Sequence, residues 1–102
     1  MQSTSVDELK KQLAENDSKC VLIDVREPFE FMSGHIKEAK NIPLQTLPAD
    51  LENLRGIETV FVQCFSGGRS AQACQYLRDS GINAINVEGG MSAWERAGYP
   101  VV

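Results

Sequence analysis

The residues best suited to chemistry form one short segment, Cys64-Phe65-Ser66-Gly67-Gly68-Arg69-Ser70. A cysteine thiolate is a good nucleophile, and its pKa falls when N–H groups, a helix N-terminus or a cation lie beside it. Gly67 and Gly68 can adopt positive φ and turn successive N–H groups inward, while Arg69 adds a permanent positive charge. The segment therefore predicts an anion-binding loop that keeps Cys64 largely ionised at neutral pH.

Two regular elements must hold this loop in place. The apolar, β-branched residues 59–63 predict a buried strand that delivers the chain directly into Cys64. From Ser70 onward, apolar residues at helical spacing predict a helix that stops at Gly81. The hydroxyls of Ser66 and Ser70 are placed to donate to an anion in the loop, although turn and capping roles explain them equally well.

The rest of the chain alternates between helix and strand patterns. Helices are predicted at about 6–14, 28–32 and 48–54 and around Trp94, and strands at 20–25, 39–42 and 84–87. Such alternation with short links predicts an α/β domain with a largely parallel sheet and helices on both faces. Ligands of such sheets bind at the carboxyl ends of the strands, where Asp24, Cys64 and Val87 stand.

The composition is that of one water-soluble globular domain spanning residues 1–102. With 42% hydrophobic and 24% charged residues, the chain has enough apolar material for a single core. Its net charge of −4 includes no basic block, which argues against nucleic acid as a partner. Because no stretch has the length of a membrane span and the first residues lack a signal-peptide pattern, we expect a cytoplasmic protein without a membrane partner.

The remaining cysteines and the single histidine are interpreted as structural. Three cysteines without a C-x-x-C pair indicate neither a disulfide framework nor a metal site. Cys74 shares a helical face with apolar residues and Cys20 opens a buried strand, so both are predicted to be core residues, with a redox role left open. His35 follows a predicted helix stop at Gly34 and is expected to be structural rather than a base for Cys64.

Residues that follow two other predicted strands are less specific for a function than the cysteine loop. Asp24, Arg26 and Glu27 follow the first buried strand and are candidates for a hydrogen-bonded brace of the cysteine loop, with a solvated charge run as the alternative. Gly89 and Gly90 predict a tight turn, since no G-x-G-x-x-G pattern accompanies them.

Taken together, these motifs resemble those of the rhodanese family. The loop matches the family pattern C-x-x-G-x-R through Cys64, Gly67 and Arg69. Four further segments resemble that family in the same order: Asp24-Val25-Arg26-Glu27 with Glu30 and Phe31, Gly34-His35-Ile36 with Ala39, Asn41-Ile42-Pro43, and Glu88-Gly89-Gly90 with Trp94 and residues 98–101. The resemblance implies a single three-layer rhodanese-like domain whose five-stranded, mainly parallel sheet is flanked by short helices.

The resemblance also implies a sulfurtransferase reaction without a metal or an organic cofactor. Cys64 would attack the outer sulfur of a small donor, thiosulfate or a persulfide, and keep that sulfur as a Cys64 persulfide. Covalent catalysis of this kind divides one difficult transfer into two steps. The loop residues Phe65, Ser66, Gly67, Gly68, Arg69 and Ser70 would hold the persulfide, and a thiol such as glutathione or thioredoxin, or cyanide, would accept the sulfur.

Two alternative functions stay open. A cysteine-dependent phosphatase or arsenate reductase also combines a backbone cradle with an arginine. That pattern has five residues between cysteine and arginine and usually a histidine before the cysteine, whereas this chain has four, with Gln63 before Cys64. A rhodanese-like module without chemistry, which docks partners or carries sulfur, commonly lacks the cysteine that is present here.

Overall fold

Strands and helices alternate through residues 2–15 and 18–102, the part of the chain described by a computed structural model. The strands are β1 (Ser3–Thr4), β2 (Cys20–Asp24), β3 (Ala39–Asn41), β4 (Thr59–Gln63) and β5 (Ala84–Val87). The helices are α1 (Val6–Ala14), α2 (Pro28–Met32), α3 (Leu47–Leu54), α4 (Gly68–Asp79) and α5 (Gly90–Arg96), and a 3-10 turn at Leu44–Thr46 leads into α3.

The strands form one sheet in the order β1-β5-β4-β2-β3, and every neighbouring pair is parallel. The predicted five-stranded α/β architecture is confirmed, and the sheet is parallel throughout. Strand β4 is central, with Gln63 opposite Asp24 of β2. Cys64 therefore leaves the sheet at the middle of the edge where all the strands end.

Side chains alternate between two hydrophobic clusters, one on each face of the sheet. Val60 and Val62 pack with the buried side chains of α3 and α4, whereas Phe61 packs with those of α1 and α5. Because both faces are covered, the central strands are apolar on both sides, which is why they appear as continuous hydrophobic runs in the sequence.

The helix ends follow the local signals in the sequence. The Ser5 hydroxyl accepts a hydrogen bond of 3.1 Å from the Glu8 amide and caps α1. Pro28 occupies the first turn of α2, and Gly81 follows α4 with a φ of +85°. Within the described residues, no helix is long and apolar enough to cross a membrane.

Strand β1 and helix α4 differ from the sequence-based expectation by more than a one-residue shift of a boundary. Strand β1 was not predicted, because it has two polar residues and is held at the sheet edge by backbone hydrogen bonds to β5. Helix α4 begins at Gly68, two residues before the predicted start at Ser70. Glycine is a poor helix former, so apolar spacing alone places the start too late.

Candidate active site

The Cys64 side chain is buried, and its sulfur faces the start of α4. Its Sγ lies 3.1 Å from the amide nitrogen of Gly67 and 3.4 Å from that of Ser70, and both N–H groups donate to the sulfur. These amides belong to the N-cap and the first turn of α4, where N–H groups have no partner within the helix. The amides of Gly67 and Ser70 therefore face inward and form a cradle around the sulfur.

Gly67 makes this geometry accessible. Its φ of +113° lies in the left-handed region, which L side chains rarely adopt, and its carbonyl accepts the hydrogen bond of Ala71 that opens α4. Gly68, Arg69 and Ser70 then continue as the first turn of the helix. The chain thus reverses tightly enough to direct two amides back at the sulfur.

Helix α5 holds the opposite side of the cysteine loop in place. The amides of Met91 and Ser92 donate to the carbonyls of Cys64 and Phe65 at 3.0 and 2.9 Å. Gly90 precedes them with a φ of +50°, and a Cβ there would come within 2.8 Å of the Phe65 carbonyl oxygen. Turning these carbonyls toward α5 leaves the loop amides facing the sulfur, so Gly90 is part of the site and does more than form the predicted turn.

The hydrogen bonds in the cradle favour an anionic sulfur. Burial raises the pKa of the Cys64 thiol, but hydrogen bonds from the Ser70 hydroxyl and from the amides of Ser70, Gly67 and Ser66 leave that pKa below its ordinary value. Cys74 provides the contrast, because burial raises the pKa of its thiol to about 11. Of these two thiols, Cys64 is the one whose hydrogen bonds outweigh burial and favour the thiolate.

The Ser70 hydroxyl can respond to the ionisation of Cys64. Its Oγ lies 3.4 Å from Sγ and 3.1 Å from the carbonyl oxygen of Gly67, to which the hydroxyl donates. A hydroxyl has one hydrogen and two lone pairs, so it accepts from a thiol or rotates to donate to a thiolate. Ser70 is fully buried, which makes this donor part of the cradle.

We expect that replacing Ser70 with alanine raises the thiol pKa, because the thiolate loses a hydrogen-bond donor while the buried thiol loses little. The rate of alkylation by iodoacetamide, measured against pH, reports this value, since only the thiolate reacts. The midpoint for the unmodified protein should lie below that of an ordinary thiol. The midpoint for Ser70→Ala should lie about one pH unit above that of the unmodified protein. A midpoint that does not move would show that the amides alone stabilise the anion.

Arg69 has a partner that the analysis of the loop did not predict. Its guanidinium forms a bidentate ion pair with Glu30, with distances of 2.7 Å from Nη1 to Oε1 and 3.1 Å from Nη2 to Oε2. The positive charge is therefore shared with a carboxylate instead of being directed at the sulfur alone. Glu30 connects α2 to the cysteine loop, and the sequence had included it only as part of the family resemblance.

Asp24 and Arg26 form a buried pair beside the loop. Arg26 donates to both carboxylate oxygens of Asp24 at 2.9 to 3.1 Å and to the carbonyl of Gly34 at 2.8 Å. The amide of Glu27 donates to Glu30 at 3.0 Å. These contacts join the end of β2 to the segment after α2, and Glu30 in turn binds Arg69; that Asp24, Arg26 and Glu27 brace the cysteine loop stays a prediction.

The other candidate residues occupy structural positions. The His35 ring stacks on Phe31 at 3.7 Å, and its Nδ1 lies 2.8 Å from the Phe31 carbonyl oxygen. Trp94 is buried and donates to the carbonyl of Pro100 at 2.8 Å. Cys74 is fully buried and Cys20 partly buried. In the described part of the chain, no cluster of three or more histidine, cysteine or acidic side chains is arranged to hold a metal ion.

Comparison with known proteins agrees with this geometry. The profile of the rhodanese-like domain family matches residues 5–97. A protein named sulfurtransferase from Allochromatium vinosum is 36% identical over 95 residues, covering 92% of this chain and 88% of its own. The thiosulfate sulfurtransferase GlpE of Vibrio cholerae is 35% identical over 81 residues, which cover 78% and 76% of the two chains.

Two further similar proteins differ in the share of their own length that aligns with this chain. The chain spans 51% of the length of an uncharacterised Synechocystis protein to which it is 44% identical over 94 residues. The solved structure of a rhodanese-related protein from Thermoplasma volcanium superimposes with a TM-score of 0.89 at 35% identity, covering 100% of this chain and 98% of the other. With the family profile matching most of its length, this chain belongs to the family of rhodanese-like domains.

Proposed function

We propose that this protein is a sulfurtransferase that carries sulfane sulfur on Cys64. In the first step the Cys64 thiolate attacks the outer sulfur of thiosulfate, the S–S bond of the donor breaks, and sulfite leaves with the bonding electron pair. In the second step an acceptor thiolate, or cyanide, attacks the terminal sulfur of the Cys64 persulfide and releases the thiolate. Each step exchanges one nucleophile for another, so no external oxidant or reductant is needed.

The observation that carries this proposal is the pair of amides directed at Cys64 Sγ from 3.1 and 3.4 Å. The same first turn of α4 is suited to the negative charge on the terminal sulfur of a persulfide, as an oxyanion hole is for oxygen. The names of the Allochromatium and Vibrio relatives support the same reaction class.

The loop also favours this function over phosphate chemistry. Four residues separate Cys64 from Arg69, and the guanidinium is bound to Glu30. A phosphate ester would need several free donors around its tetrahedral oxygens. The short loop, with the amides of Gly67 and Ser70 directed at one sulfur, suits a single added atom better.

Incubation with thiosulfate followed by intact-mass measurement tests the proposal. We expect one added sulfur, which peptide mapping assigns to Cys64 and which cyanide, glutathione or thioredoxin removes. Comparing the three acceptors identifies the preferred class. If no sulfur is added while an aryl phosphate is hydrolysed, the protein is a phosphatase and the proposal is wrong.

A further inference from the structure

The ion pair between Arg69 and Glu30 sets the charge beside the cysteine loop. Its two side chains are only partly exposed, at 39% for Arg69 and 24% for Glu30. Hydrogen bonding from Arg69 holds the pKa of Glu30 below its ordinary value, so the carboxylate stays charged at neutral pH. A donor that approaches Cys64 therefore meets a guanidinium whose charge is already balanced.

Arg69 belongs to the helical turn that holds the sulfur, since it directly precedes Ser70, whose amide lies 3.4 Å from Sγ. Glu30 raises the pKa of Arg69 most strongly through its hydrogen bond, and the charge of Cys64 raises it further by a smaller amount. Glu30 thus competes with any anion at the sulfur for the same positive charge. The remaining attraction comes from amide dipoles, without the full positive charge that a guanidinium free of Glu30 would add to offset the larger desolvation cost of a dianion.

We propose, on the basis of the sulfurtransferase function above, that Glu30 determines donor specificity by neutralising Arg69, so that the site favours singly charged sulfane-sulfur donors over dianionic ones. Thiosulfonates of the type R–SO2–S⁻ belong to the favoured class. Cys64 would take their terminal sulfur, and a sulfinate would leave with the bonding electron pair, so one anion is lost for each anion consumed. Glu30 acts through Arg69 and is not itself a catalytic residue.

Two nearly isosteric donors isolate this effect. Methanethiosulfonate carries a methyl group where thiosulfate carries an oxygen anion, and both deliver the same outer sulfur to Cys64. Because the leaving groups differ in intrinsic reactivity, the informative quantity is the ratio of variant to unmodified kcat/KM for each donor. In Glu30→Gln we expect this ratio to be about fivefold for thiosulfate and about twofold for methanethiosulfonate at low ionic strength, with both gains shrinking as salt is added.

Matched variants separate charge at the site from other effects. Glu52 forms a similar pair with Arg55, 3.1 Å apart and more exposed, and Arg55 binds the carbonyl of Ser80 at the far end of α4. Glu52→Gln removes the same charge away from the loop and should leave both donors unchanged. In an Arg69→Gln background, Glu30→Gln should give a smaller gain for thiosulfate, because the cation it releases is gone.

The outcomes discriminate between this inference and the proposed function. A loss of kcat/KM in Glu30→Gln that is equal for both donors, with a lowered melting temperature, would assign Glu30 a structural role and overturn the specificity proposal. A gain of the same size in Glu52→Gln would also overturn it, since net charge alone would then explain the effect. If neither donor adds sulfur to the unmodified protein, the sulfurtransferase function fails first, and the inference fails with it.

Discussion

Replacing Cys64 with serine is expected to reduce sulfur transfer from thiosulfate to cyanide by at least about 10⁴-fold, because the covalent step is lost. A serine hydroxyl would occupy the same cradle, but its proton is held too tightly for the amides to ionise it at neutral pH. The intact mass of this variant should show no added sulfur. The measurement is the steady-state rate together with the mass after thiosulfate treatment.

The other cysteines provide the matched control. Cys74→Ala removes a fully buried thiol whose pKa burial raises to about 11, and Cys20→Ala removes one at the start of β2. Both variants should keep the transfer rate within about twofold, since the raised pKa of Cys74 keeps its thiol protonated at neutral pH and Cys20 pairs with Thr59, at the end of β4 far from Cys64. Retained transfer in Cys64→Ser, or its loss in Cys74→Ala, would assign the reaction to a different thiol.

Replacing Gly90 with alanine is expected to lower the free energy of unfolding by at least about 3 kcal/mol, through left-handed strain together with overpacking against the loop. The new Cβ would collide with the carbonyl oxygens of Cys64 and Phe65. Relieving that collision moves the cysteine loop, so the pKa of Cys64 should also rise. Urea unfolding and the pH dependence of alkylation measure the two effects.

Gly98 provides a control that separates strain from collision. Its φ is +77°, yet a Cβ there would have no atom within 4 Å. Gly98→Ala should therefore cost only about 1 kcal/mol and leave the pKa of Cys64 unchanged. If both substitutions lower the free energy of unfolding by the same amount, the collision of the new Cβ with the loop adds nothing to the backbone strain.

Local signals predicted most of the fold. Residues 59–63 and 84–87 were assigned as strands with the bounds that the structure has, since buried parallel strands are apolar on both faces. The Ser5 cap and Gly81 also set helix ends correctly. The edge strand β1 escaped prediction because backbone pairing, and not side-chain burial, holds it in the sheet.

The cradle was predictable because all of its parts lie in one segment. Cys64, Gly67 and Ser70 are neighbours along the chain, and a strand followed by glycines and a helix already dictates that amides gather at the turn. The Arg69–Glu30 pair and the contact of Gly90 with the loop were not predictable in this way. They join residues distant in sequence, which meet only when α2 and α5 contact the loop that follows β4.

The hydrogen bonds from α5 to the cysteine loop also have a consequence for the thiol during synthesis of the chain. The amides of Met91 and Ser92 leave the ribosome well after Cys64, and β5 must pair with β4 before they reach the loop carbonyls. Until then the peptide groups of the nascent segment are not held in one orientation, and we expect its thiol to have an ordinary pKa. We therefore expect the pKa of Cys64 to fall only late, when β5 and α5 have folded against the rest of the sheet.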